Sequence, residues 1–126
     1  MYTEWAERFR VLGDPTRLRI LGILSVRDAC VCELAELLPV SQPAVSQHLR
    51  RLKQAGLVRE YRQKSWMFYA IRADVPPLVA GVLRDLSVAD SDVHWLQTHR
   101  VGLSCAVTRN AEPISLPEHP VLASDD

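Results

Sequence analysis

The chain has 126 residues, 48% of them hydrophobic, which is room for one domain around one modest core. Its formal charge is zero, yet residues 1–40 carry a net of −1, residues 41–72 a net of +6 and residues 73–126 a net of −5. With no apolar run of bilayer length, no basic-apolar-small leader and an odd three cysteines, the sequence argues against a membrane span, a secreted chain and a disulfide framework. A cytoplasmic protein is expected, in which thiols stay reduced and are left for metal binding, redox chemistry or packing.

Trp5, Phe9 and Leu12 recur at helical spacing, which predicts a first amphipathic helix over residues 3–12. Asp14-Pro15 starts a second helix, with Asp as N-cap and Pro in the first position; Leu18, Leu21 and Leu24 are its expected buried stripe. Residues 29–31 read as briefly extended before a short helix from about Cys32 to Leu38, which Pro39 ends. Ser41 then caps a helix from Gln42 to about Gln54, stopped by Gly56. Val45, Leu49 and Leu52 share one face of it, and Gln47, Arg50, Arg51 and Gln54 the other. From Val58 to Ile71 the apolar period changes to two, which predicts a β-hairpin turning near Gln63-Lys64-Ser65. Pro76-Pro77 opens a further helix lined by Leu78, Val82 and Leu86, and Ser91 is expected to cap a last segment to about Arg100. Residues 1–100 thus form the expected domain. After Cys105, three prolines and four acids from Asn110 to Asp126 predict a mostly disordered tail within residues 101–126.

A short helix, a turn and a second helix with a polar outer face form a helix-turn-helix, and the hairpin that follows is a wing. The expected fold is therefore mainly α with a β-hairpin wing. A helix that enters the major groove needs base-reading donors and acceptors near its N-terminus, where Ser41, Gln42, Ser46 and Gln47 lie. Arg50, Arg51 and Lys53 follow where phosphate contact is expected, His48 sits at the edge of the buried stripe, and Arg62, Lys64 and Ser65 occupy the hairpin tip. Seven basic residues against Glu60 alone over residues 41–72 supply the electrostatic footprint for double-stranded DNA.

Four stretches carry a resemblance: Leu12-Gly13-Asp14-Pro15-Thr16-Arg17-Leu18-Arg19-Ile20-Leu21, Cys30-Val31-Cys32-Glu33-Leu34, Ser41-Gln42-Pro43-Ala44-Val45-Ser46-Gln47-His48-Leu49, and Leu52-Lys53-Gln54-Ala55-Gly56-Leu57-Val58. Over residues 3–88, about two-thirds of its length, the chain resembles the arsenical-resistance (ArsR/SmtB) family of winged-helix repressors. The resemblance implies a homodimer joined through the first helix and the helix after the wing, with two recognition helices on a near-palindromic operator. It also implies that Cys30 and Cys32 match the family's arsenite-sensing Cys-x-Cys. The expected function is a repressor released from its operator when As(III) or Sb(III) engages these thiolates, with no catalytic cofactor. Two features depart from the family: the wing turn has no glycine, and the tail after about residue 100 has no counterpart.

Soft thiolates suit a thiophilic centre such as As(III). Side chains at i and i+2 share a side of an extended segment but point about 200° apart on a helix. Both sulfurs reach one ion only if the helix start is extended or unwound. Where some relatives place a third cysteine the chain has Ala35, which leaves Cys105 either as the third ligand or as incidental. The family's zinc position after the wing holds Asp74, but Pro76 and Ser87 stand where histidines are needed, and Asp92-Val93-His94 with Cys105 copies that spacing too late in the chain. An alternative is a thiol-redox or persulfide-responsive repressor in which Cys30 or Cys32 pairs with Cys105. An enzyme is not expected: the chain lacks Cys-x-x-Cys, a phosphate-binding glycine loop, H-E-x-x-H and a nucleophile elbow.

Overall fold

The computed structural model describes residues 1–99. The expected tail and Cys105 lie outside the described residues. Helix α1 spans Tyr2–Leu12 and packs onto α2 (Pro15–Val26) through Val11 and Leu12. The start of α2 is set by the Asp14 carboxylate, which accepts from the Arg17 backbone N–H at 3.0 Å, and by Pro15. This helix is the centre of the fold. Ile20, Leu21, Ile23 and Leu24 are all fully buried, a wider face than the expected stripe, whereas Leu18 is only half-buried.

Strand β1 (Ala29–Cys30) leads directly into α3 (Val31–Leu37), and α4 spans Gln42–Gln54. Val45, Leu49 and Leu52 on α4 are completely buried beside Leu34 of α3 and the α2 core, which fixes the angle at which α4 leaves the body. Its N-terminus is capped by the Ser41 hydroxyl, which accepts from the Ala44 N–H. At its other end Gly56 takes φ 76°, the Gly56 N–H donates to the Lys53 carbonyl and the Leu57 N–H to the Leu52 carbonyl. That pair of bonds ends a helix on a left-handed residue, a position that favours glycine.

Strands β2 (Val58–Gln63) and β3 (Trp66–Ile71) form the expected hairpin, and β1 joins its other edge to give an antiparallel sheet in the order β1-β3-β2. Gln63 pairs with Trp66, so Lys64 and Ser65 alone form the turn. In place of glycine, Lys64 itself adopts φ 57°. Helix α5 (Pro77–Asp85) buries Val79 and Leu83, while Leu78 remains 54% exposed. Helix α6 (Asp90–Thr98) starts after Ala89 rather than Ser91. It is clamped to α2 by Arg19, whose Nε and Nη2 donate to the buried Asp92 carboxylate at 3.0 and 2.8 Å. A two-bond Arg–carboxylate fork of this kind fixes orientation as well as distance.

Candidate nucleic-acid interface and thiol site

The buried stripe of α4 faces the core, so its opposite face is presented to solvent. Gln42, Gln47, Arg50, Arg51, Lys53 and Gln54 are exposed there, and Ser46 is half-buried. Gln47, Arg50, Arg51 and Gln54 together line a shallow polar depression, suited to a strip of phosphates and base edges. Arg62, Lys64 and Ser65 are exposed at the end of the hairpin. Three of the expected DNA residues have partners within the chain, Ser41 through its cap on α4 and Lys53 and His48 as follows. Lys53 Nζ lies 2.6 Å from Glu60 Oε1, tying α4 to β2. Hydrogen bonds from Lys53 and Tyr69 hold the Glu60 carboxyl below its usual range, while burial and that same bond push the Tyr69 phenol up to about 12. His48 is half-buried with Nδ1 3.3 Å from the Arg17 guanidinium. A guanidinium only donates, so Nδ1 is the accepting nitrogen. Arg17 also donates to the Val11 carbonyl at 2.7 Å and so joins α1, α2 and α4.

Cys30 and Cys32 straddle the junction of β1 and α3. Cys30 is the N-cap of α3, extended at φ −93° and ψ 167°, and only 3% exposed; Cys32 follows in the first helical turn and is half-buried. Despite the change of backbone between them, both pack into one apolar cluster with Phe68, Tyr61 and Trp66. Both are thiols rather than disulfide halves. The expected need for an extended helix start is therefore half met: Cys30 is in strand geometry and Cys32 in helix geometry.

The junction is stiffened by a buried ion pair that sequence reasoning missed. Glu33, fully buried, accepts from the Cys30 backbone N–H at 3.1 Å and from Arg27 Nη1 and Nη2 at 3.2 and 2.9 Å. Arg27 also donates to the carbonyls of Asp28 and Leu96. The spacing of Cys30 and Glu33 is that of a capping box, a signal hidden because cysteine is an uncommon cap. Among the described residues no group of three or more His, Cys, Asp or Glu side chains is placed to hold a metal ion. Asp92 is taken up by Arg19, and Asp74 is bound by Arg72 in two bonds of 2.7 and 2.8 Å. Both carboxylates considered for a zinc site thus have arginine partners.

A model described as bacterial regulatory protein, arsR family, matches residues 14–60, from the cap of α2 into β2. An arsenical resistance operon repressor of Staphylococcus xylosus is 42% identical over 111 residues, covering 88% of this chain and 97% of that protein. The chain belongs to the arsR family. An arsenic resistance transcriptional regulator of Pseudomonas putida, ArsR1, is 34% identical over 108 residues, 85% of this chain and 83% of its own. The solved structure of an ArsR-like transcriptional regulator from Rhodococcus sp. RHA1 has a TM-score of 0.58 at 30% identity, covering 76% of this chain and 86% of that one. Family and fold are those of DNA-binding transcriptional regulators, not of enzymes. No helix among the described residues is long and apolar enough to cross a membrane.

Proposed function

We propose that the protein is a transcriptional repressor that holds its operator when empty and leaves it when As(III) or Sb(III) binds the thiolates of Cys30 and Cys32. The observation that carries this reading is the packing of both cysteines in one cluster at the first turn of α3, the helix that supports α4. Each As–S bond replaces an As–OH, and the thiol proton leaves with it as water, with no change of oxidation state. Drawing both sulfurs onto one centre asks the first turn of α3 to follow Cys30 into extended geometry. Empty and loaded forms then differ at the support of the DNA-reading helix, which is the differential affinity a switch requires. Arsenical resistance is named for the relatives in Staphylococcus xylosus and Pseudomonas putida, which supports the choice of metalloid. The direct test is release of operator DNA under reducing conditions by arsenite, antimonite, zinc, cadmium and peroxide in turn. Release by arsenite and antimonite alone supports the reading, and release by peroxide alone replaces it with thiol oxidation.

The outer face of α4 separates two kinds of DNA contact. Arg50→Ala or Lys64→Ala is expected to weaken binding to operator and scrambled DNA alike and to lower the salt slope by about one per lost phosphate. Gln47→Ala is expected to relax base preference by about 1–3 kcal/mol. Titrations of both DNAs at several salt concentrations distinguish these outcomes, and unchanged affinity throughout would move the interface elsewhere.

A homodimer is part of the same proposal. Phe9 on α1 and Leu78 on α5 are 56% and 54% exposed, with Trp5, Val82 and Leu86 half-buried beside them in sequence register. Apolar stripes left open on two helices are suited to a two-fold self-complementary interface. Sedimentation at micromolar concentration is expected to show a dimer; a monomer alone rejects it.

A further inference from the structure

We infer that Tyr61 is a positioning residue that couples the thiol pair to the wing, a reading that rests on the switch proposed above. The coupling is laid out across the sheet. Cys30 on β1 pairs with Phe68 on β3, and Phe68 pairs with Tyr61 on β2. The Tyr61 ring stacks on Phe68 at 5.9 Å between centroids and 22° between planes, inside the cluster that holds both cysteines. Its hydroxyl reaches past β3 and donates to Asp28 Oδ2 at 2.5 Å. Asp28 is buried and directly precedes β1. Tyr61 therefore grips the thiol-bearing strand in two ways: by ring packing onto the partner of Cys30 and by a hydrogen bond to the residue that leads into β1. The Arg59 guanidinium also lies over the ring, 4.9 Å from its centroid, and β2 continues through Arg62 to the turn at Lys64.

Strand β1 is only two residues long, and this grip adds to the two residue pairs by which it joins β3. When the first turn of α3 rearranges to bring Cys32 to Cys30, the ligated Cys30 loads β1, and the bond to Asp28 is one of the contacts that tie the start of this strand to β2. The empty, DNA-holding form keeps the bond and the loaded form gives it up. Tyr61 thereby biases the molecule toward the DNA-holding form and opposes thiol ligation at the same time, and the orientation of the basic wing follows the state of Cys30.

This arrangement carries a signature that plain structural support does not. In Tyr61→Phe the ring stack and the Arg59 contact are retained and only the donor is lost. Arsenite is expected to bind the DNA-free variant about three- to tenfold more tightly than the unaltered protein, because ligation no longer opposes the hydrogen bond. Operator affinity of the empty variant is expected to fall by no more than the same factor. Asp28→Asn, which keeps the shape but removes the charge assisting the bond, is expected to shift arsenite affinity in the same direction. The double variant should exceed Tyr61→Phe by little, since both act on one contact. The measurements are arsenite titration by Trp fluorescence and operator titration by anisotropy, with circular dichroism to show that each variant is folded. Unchanged or weaker arsenite binding in folded Tyr61→Phe and Asp28→Asn overturns the inference. Failure of the underlying switch looks different: the Cys30→Ser, Cys32→Ser double variant would then bind arsenite as well as the unaltered protein does.

Discussion

Arsenite is expected to leave the operator complex intact once Cys30→Ser and Cys32→Ser are combined, at concentrations that strip the unaltered protein from DNA. Neither residue lies on the outer face of α4, so affinity of the empty double variant for the operator is expected to stay within a few-fold of the original. Serine is a suitable replacement at both places. At residue 30 it is a common N-cap, able to accept from the Glu33 N–H as the thiol does in the capping box, and at residue 32 it is half-exposed in a first turn. What is lost is the soft donor pair and with it the coupling between sites, of the usual size of about 1–3 kcal/mol, or five- to 150-fold in operator affinity. By reciprocity, operator DNA is expected to weaken arsenite binding to the unaltered protein by the same factor. Anisotropy titrations with and without arsenite read the first quantity, and arsenite titrations with and without operator read the second. A double variant still released by arsenite would refute the site.

The second large effect is on stability. Glu33→Ala removes a carboxylate that is fully buried and that holds Arg27, itself 14% exposed, together with the Cys30 backbone N–H. Breaking a buried pair from one side leaves the other charge without compensation, and the expected loss is about 3–5 kcal/mol. For a domain of this size each kcal/mol lowers Tm by about 4–8 °C, so the drop is expected to be well above ten degrees. Combining Glu33→Ala with Arg27→Ala is expected to destabilise by clearly less than the two single losses added, because the uncompensated charge is gone. Thermal melts of the three variants decide it. Additive losses would mean that the pair is not the relevant contact.

The same carboxylate explains why the thiol site was only partly legible beforehand. The positions of Cys30 and Cys32 at the start of α3 follow from the Pro39 stop, the helical run before it and the apolar residues at 29–31. That a strand would form at Ala29–Cys30, and that Glu33 would be buried to cap it, required partners from β3 and from Arg27 that no local pattern names. Glu60 gave a similar lesson. It stood out as the single acid in the basic block, yet its role in binding Lys53 depends on how closely α4 and β2 approach. The Lys64 turn ran against local preference: the hairpin register demanded a left-handed residue, and pairing along β2 and β3 imposed it on a lysine.

Local chemistry was sufficient for most of the elements, though not for β1 or the start of α6. Asp14-Pro15, Ser41, Gly56 and the change from helical to alternating periodicity at Val58 each act within a few residues, through caps, fixed φ values and side-chain spacing, and so could be read directly. The basic stretch over residues 41–72 was legible for the same reason, because charge is carried by the residues wherever they fold. Tertiary structure alone decided which of those charges stay exposed, which carboxylates are neutralised by Arg19, Arg27 and Lys53, and that two cysteines of differing backbone geometry share one aromatic cluster. Those outcomes depend on distances between segments remote in sequence, and hydrogen bonds and ion pairs act only when packing of the apolar faces has brought their partners within about 3 Å.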